Sequence, residues 1–382
     1  MLVDFAPSAQ SSVGIEWELA LVDLASGELT PAAPDVLAAC GGGEDGPIRK
    51  EYLQNMVELV SGVHRTVGEA VADVADRLLE VQQVLAPLGL GLIGSGTHPY
   101  SRAAAQLRFE GPRYDVVAER NAYWGRQMAI CGTHVHVGVD HKDKALPITT
   151  GLARFYPYLL AVTCSSPYWE GEDSGYASQR TMLFQQLPTN GLPHPMGRWT
   201  EFEAYAEELM DCGMISVPGE IRWDVRPSPR FGTVENRTGD SVPTLAELGC
   251  LAALTQCFAE HVSRTYEQDQ TYEHLSPWLV RENKWRAARY GLDADVITPN
   301  RGRREVPLRE GLAQWLDRLA PVARDLGCET ELRFAGELAE HGASYERQRA
   351  AGGPQAALRL LLAETGRREP FGAGTRPVTL TS

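Results

Sequence analysis

The chain has 382 residues, 43% of them apolar and 23% charged, an ordinary globular balance long enough to bury a sizeable core without disulfides or a structural metal. The net charge of −14 argues against nucleic acid or an anionic membrane surface as the main partner, because phosphate binding needs a surplus of Lys and Arg. The N-terminal stretch lacks the basic and apolar regions of a secretory signal, no apolar run is long enough to cross a bilayer, and the seven cysteines are scattered without a C-x-x-C. These features predict reduced thiols and a cytoplasmic location. No linker or internal repeat divides the chain, so one domain over residues 1–382 is expected, with the tail after Arg367 fraying.

In chain order, the first strong element is a strand over 14–22, where Ile15, Trp17 and Leu19 point one way and Glu16 and Glu18 the other. Two carboxylates at i and i+2 on one strand face, with Cβ atoms about 7 Å apart, form either a solvated edge or a pair of hard oxygen ligands for Mg2+ or Mn2+. Glu51, Gln54 and Glu58 follow. Their spacing suits one face of a helix, while Gln54 and Glu58 would also align on a strand. Val67, Val71, Val74, Leu78, Val81, Leu85 and Leu88 recur every three or four residues and predict a helix over about 66–88. The run Gly89–Gly94 matches G-x-G-x-x-G, but no amphipathic helix follows it, so it fails the structural test for a dinucleotide loop. It reads instead as a strand leading to His98.

A helix is expected at 113–129. The strand 133–139 then alternates valines with His134 and His136 beside Gly132 and Gly138, which suits a metal or a phosphate. Further helices are expected at 151–163, 201–211, from Pro243 onward, at 307–326 and at 355–364. Between them, Thr233, Glu235 and Arg237 share one face of a strand over 231–237. Arg180, Arg222, Arg226 and Arg230 stand near prolines and glycines, where guanidinium forks would hold carboxylate or phosphate.

Taken together, G-I-E-W-E-L at the N-terminus, E-x-x-Q-x-x-x-E at 51–58, GTHP at 96–99, CGTHVHVG at 131–138, GYASQRTMLFQQLPT at 175–189, WDVRPSPRFGTVE at 223–235 and DSVPTLAEL at 240–248 resemble the type 2 glutamate–cysteine ligases, in that family's order over roughly residues 12–300. RENKWRAARYGLDADVI in the C-terminal part is similar too. The resemblance implies an α+β fold of glutamine-synthetase type, a curved, largely antiparallel sheet with flanking helices whose concave face takes ATP, divalent metals and glutamate. It implies Glu16, Glu18, Glu51, Glu58, His134 and Glu235 as metal ligands and Arg237, Glu235 and Arg180 as catalytic groups. Arg226, Arg230, Arg237, His98, His136, Asn236 and Gly239 would bind ATP or substrate. The implied reaction is ATP-dependent formation of a γ-glutamyl dipeptide through a γ-glutamyl phosphate, with small-molecule partners only and a homo-oligomer left open.

After Glu235 this family usually reads Val-Arg-x-Cys-Asp or similar, whereas this chain has Asn236, Arg237, Thr238, Gly239 and Asp240. The resemblance implies cysteine as the default acceptor, but on sequence alone Asn236, Thr238 and Gly239 suggest a small amino acid that need not be cysteine and could be a non-proteinogenic one. A metal-dependent hydrolase built on His134 and His136, and a catalytically silent glutamate- or nucleotide-binding homologue, are the alternative readings.

Overall fold

A computed structural model describes residues 3–268, 275–300, 302 and 304–370, so the expected fraying falls largely outside the described residues. The strands are β1 (Val13–Asp23), β2 (Ile48–Lys50), β3 (Met56–Val60), β4 (Leu90–Ile93), β5 (Gly132–Gly138), the small hairpin β6 (Tyr168–Trp169) and β7 (Glu172–Asp173), then β8 (Val225–Ser228) and β9 (Thr233–Asp240). β10 (Asp295–Ile297) and β11 (Glu305–Pro307) form a second small ribbon. The main sheet has the order β2-β3-β1-β5-β9-β8, all antiparallel, with β4 pairing the far half of the long β1.

Helices cover the apolar face of this sheet, and two of them border its polar face. They are α1 (Ala33–Cys40), α2 (Val67–Leu85), α3 (Pro112–Arg126), α4 (Lys142–Arg154), α5 (Tyr156–Ala161), α6 (Gln179–Phe184), α7 (Trp199–Asp211), α8 (Leu245–Glu267), α9 (Pro277–Tyr290), α10 (Leu308–Leu326), α11 (Glu329–His341), α12 (Ser344–Ala350) and α13 (Pro354–Glu364), some of them lying at the sheet's ends. α2 and α8 each start on a reciprocal box, Thr66 with Glu69 and Thr244 with Glu247, where the hydroxyl and carboxylate satisfy orphan backbone N–H groups. α2 buries the expected stripe as far as Leu85, and the chain then turns so that Leu88 is exposed. α8 is buried on almost every side, lying between the sheet and α10 and α11. One apolar cluster joins Ile15, Trp17 and Val135 of the sheet to Leu248 and Phe258 of α8 and Leu312 of α10.

One expectation about helices changes, and one reading left open between helix and strand is decided. The single helix at 151–163 is really α4 and α5 meeting at Phe155, since Pro157 lacks an N–H and sits in a new first turn. Residues 51–58 are not helical; Glu51 precedes a turn and Glu58 lies in β3. The run Gly89–Gly94 contains β4 with no helix after it, as its sequence context required.

Candidate active site

The polar face of the sheet is assembled by register. Glu18 lies opposite Glu58, Glu16 opposite His134, and His136 opposite Glu235, which in turn faces Arg226. Period-two alternation keeps the valines and Trp17 on the helix side, so these polar groups converge on a cleft of about 510 Å3. Within it three overlapping trios bring ligand atoms within 4.8 Å of one another: Glu16, His136 and Glu235; Glu16, Glu58 and His134; and Glu18, Glu51 and Glu58.

The distances show which charges already have partners. His134 Nδ1 is 3.2 Å from Glu16 Oε2, and its Nε2 is 3.6 Å from Glu18 Oε1. That Nε2 is buried and has no hydrogen-bond partner. His136 Nε2 is 3.5 Å from Glu16 Oε1, and its Nδ1 shares a 2.8 Å hydrogen bond with Thr233 Oγ1. Glu235 accepts from Arg226 Nε at 2.7 Å and from Arg237 Nη1, so one carboxylate is shared by two guanidiniums and the three groups keep a net positive charge.

Electrostatics divide the carboxylates into two groups. Burial pushes the Glu18 carboxyl up to about 8, with Glu51 adding to the shift, and burial plus Glu16 holds Glu58 well above the usual range. Burial also opposes ionisation of Glu16 and Glu235. For Glu16 the two histidines outweigh it, and for Glu235 Arg226 and Arg237 do, so both carboxyls stay well below the usual range. Burial, with Arg237, lowers His134 to about 4 and leaves it neutral. A crowd of buried carboxylates and a neutral imidazole with an orphan lone pair fits a hard divalent cation.

The structure brings Glu16, Glu18, Glu51, Glu58, His134, His136, Glu235, Arg180, Arg226, Arg230 and Arg237 to this cleft or its wall. Three expected residues are elsewhere. His98 is buried against another part of the chain: Nε2 lies 3.0 Å from the Gly27 carbonyl, and Nδ1 accepts from the Tyr100 and Ser101 amides. Asn236 and Gly239 both face α8. The Asn236 side chain donates to Thr255 Oγ1 at 2.8 Å, and a Cβ on Gly239 would meet Leu251 Cδ2 at 2.7 Å. Positions three apart share that face because a β-bulge shifts the β5–β9 register between Thr133 and Val135. The acceptor argument built on Asn236 and Gly239 therefore has no geometric basis.

Sequence reasoning also missed parts of the wall. Arg49, opposite Glu58 in β2, comes within 3.9 Å of Glu16 and 4.0 Å of Glu58. Tyr52, Met128, Ile130, Phe184 and Leu187 line another side. The alternation of Arg49 with Ile48 was the only signal for the first, and the apolar wall had none.

Hard-oxygen trios flanked by arginines on one face of an antiparallel sheet are the equipment of a carboxylate–amine ligase. The chain belongs to glutamate–cysteine ligase family 2, whose model matches residues 12–358. A relative from Paenarthrobacter aurescens, provisionally named a glutamate–cysteine ligase 2, is 45% identical over 357 residues, covering 91% of this chain and 93% of its own. A second from Leifsonia xyli, with the same provisional name, is 46% identical over 349 residues, covering 91% and 92%. Among solved structures, the Francisella tularensis glutamate–cysteine ligase in complex with AMP superposes with a TM-score of 0.66 at 13% identity, over 94% of this chain and 88% of its own. The bifunctional glutathione synthetase of Pasteurella multocida gives 0.63 at 16%, over 94% of this chain and 51% of its own. The fold class expected from the sequence is thus the one the chain adopts. Among the described residues no helix is long and apolar enough to cross a membrane.

Proposed function

We propose that this chain, acting as one catalytic unit in the cytoplasm, joins the γ-carboxyl of glutamate to the amine of a small amino acid with conversion of ATP to ADP and phosphate. The observation that carries the reading is the adjacency, on one sheet face, of the three oxygen-rich trios and the Glu235–Arg226–Arg237 cluster. A carboxylate is a poor electrophile; transfer of the terminal phosphoryl group of ATP to its oxygen gives an acyl phosphate, and the amine then displaces phosphate at the carbonyl carbon. For phosphoryl transfer the protein supplies positioning and charge neutralisation.

Glu16, Glu18, Glu51, Glu58, His134 and Glu235 would hold Mg2+ or Mn2+, which when bound draws charge from the phosphate oxygens. Arg237 and Arg226, aligned by Glu235, face the anionic oxygens of the transferred group, and Arg230 stands at the exposed rim. His136 is fixed by Thr233 and orients Glu16 toward the trios. The hydrolase alternative fares worse, since no trio contains both His134 and His136 and each holds at least two carboxylates.

The test incubates the full chain with ATP, Mg2+, glutamate and a panel of small amino acids. The expected products are a γ-glutamyl dipeptide, ADP and phosphate by mass spectrometry. AMP with pyrophosphate would overturn the mechanism, and glutamate-independent hydrolysis would favour the hydrolase. Absence of any turnover would favour the silent homologue.

A further inference from the structure

The run RENKWRAARY closes α9 and supplies no residue to the metal trios, yet it carries a buried charge. Lys284 is 4% exposed and donates to Asp224 Oδ2 at 2.7 Å, and Asp224 is 2% exposed. The ammonium also lies 5.3 Å from the centre of the buried Tyr156 ring. A buried ion pair adds little stability, because withdrawing both charges from water cancels much of their attraction. What it does supply is a fixed geometry.

Asp224 stands at a junction. Its amide donates to the Gly191 carbonyl at 2.7 Å, beside Asn190 of the cleft wall, and its carbonyl accepts from the Arg237 amide at 2.8 Å. The second bond matters because of the bulge in β9. Between the registered pairs Val135–Asn236 and Thr133–Gly239, β5 has only His134 to set against Arg237 and Thr238, so Arg237 has no registered partner on that side. On the other side the β8 register ends at Asn236, and the Asp224 carbonyl just beyond it takes the Arg237 amide. Among the described residues the Arg237 guanidinium has one carboxylate partner, Glu235, and its Nε is buried without a hydrogen-bond partner. Where the Arg237 backbone stands therefore decides where its guanidinium lies. The same peptide group reaches a second cleft arginine, since the Arg180 terminal nitrogens lie 3.4 Å from the Arg237 carbonyl.

We propose that Lys284 is a positioning residue for phosphoryl transfer: by fixing Asp224 it holds the bulged backbone of Arg237 where the guanidinium meets the transferred group. This rests on the ligase reading above and extends its machinery to an ion pair that does not line the cleft. Lys284 touches no substrate on this account, so it contributes nothing to ground-state binding. Its effect falls on the transition state, through the placement of Arg237.

The experiment measures kcat, the KM values for ATP and glutamate, and urea unfolding midpoints. It uses the full chain with Mg2+ and whichever small amino acid the wild type turns over fastest. Lys284→Met is expected to lower kcat by about 100-fold with both KM values within about 3-fold of wild type. Its midpoint should fall as well, because Asp224 is left buried and unpaired. Lys284→Met combined with Asp224→Leu removes both charges, and its midpoint is expected to return close to wild type while kcat stays about 100-fold down. Asp224→Glu keeps the ion pair but moves it by one methylene. It is expected to lose about 10-fold in kcat at unchanged KM, a readout that stands even if the other variants fail to fold. Activity that returns with the midpoint in the double variant would show a merely structural role and overturn the proposal. An unchanged kcat in Asp224→Glu, or a loss that appears in KM instead of kcat, would overturn it too. A wild type that makes no γ-glutamyl product with any acceptor overturns the ligase reading and this role with it, a result distinct from these.

Discussion

Raising the pH on the metal-free chain tests the acid cluster directly. Burial holds the Glu18 carboxyl at about 8 against its ordinary 4.5, so the folded chain keeps a proton that the unfolded chain releases. A group raised in this way contributes stability that is fully present below 4.5 and is lost as pH rises through about 8. Integrated between pH 6 and pH 8, the loss from Glu18 alone is about 2 kcal/mol. Glu58, also raised, acts in the same direction. The assay is urea denaturation in EDTA at the two pH values, repeated with excess Mg2+. The cation replaces the protons, so the loss should shrink when Mg2+ is present, and adding Mg2+ at pH 7 should release about one proton or more by calorimetry in buffers of different ionisation enthalpy. Unfolding midpoints that do not move with pH, or Mg2+ binding without proton release, would refute the account of these carboxyls as a cation cage.

Glu235→Gln should leave Arg226 and Arg237 short of one buried counter-charge, costing about 3–5 kcal/mol by denaturation and lowering kcat by about 100-fold or more. Glu58→Gln should abolish turnover at saturating Mg2+ while denaturation of the metal-free chain stays close to wild type, since burial and Glu16 already disfavour the charged form of this carboxyl. His98→Phe should cost about 1–3 kcal/mol by stranding the Tyr100 and Ser101 amides, with unchanged KM for every substrate. Asn236→Val should cost a similar amount, about 1–3 kcal/mol, because the Thr238 amide loses its acceptor, and kcat/KM ratios among acceptors should not change.

Period-two alternation made the three central strands legible, and with them Glu16, Glu18, His134, Glu235 and Arg237, because a strand's faces can be read from sequence order alone. Apolar periodicity made α2 and α8 legible in the same local way. What stayed hidden depends on contacts across strands or on buried polar groups. α9 buries Asn283 and Lys284 beside Ala287 and Ala288, so its inward face shows no apolar stripe. The bulge in β9 inverts the expected side of Gly239, and nothing in E-N-R-T-G-D announces it. His98 follows a strand, as a ligand would, yet its ring closes a turn; only its three partners distinguish the two cases. Glu51 reaches the cleft from the irregular link between β2 and β3, for which neither helical nor strand spacing gives a rule.

The bulge also relocates the question of acceptor choice. On a regular strand, Arg237 and Gly239 would both face the substrates, and a glycine there would enlarge the cleft. With the extra residue, Gly239 packs against Leu251, and Asn236 bonds Thr255 on the same helix, so this departure from the family's usual run changes how β9 sits on α8. A change on that side reaches substrates only by moving Glu235 or Arg237, which would alter glutamate and ATP kinetics together rather than select one amine over another. Selectivity for the amine must come from side chains that touch it. Met128, Ile130 and Leu187 line the cleft directly, as Asn236 and Gly239 do not, and a difference of one methylene against an apolar wall is worth about 1–3 kcal/mol.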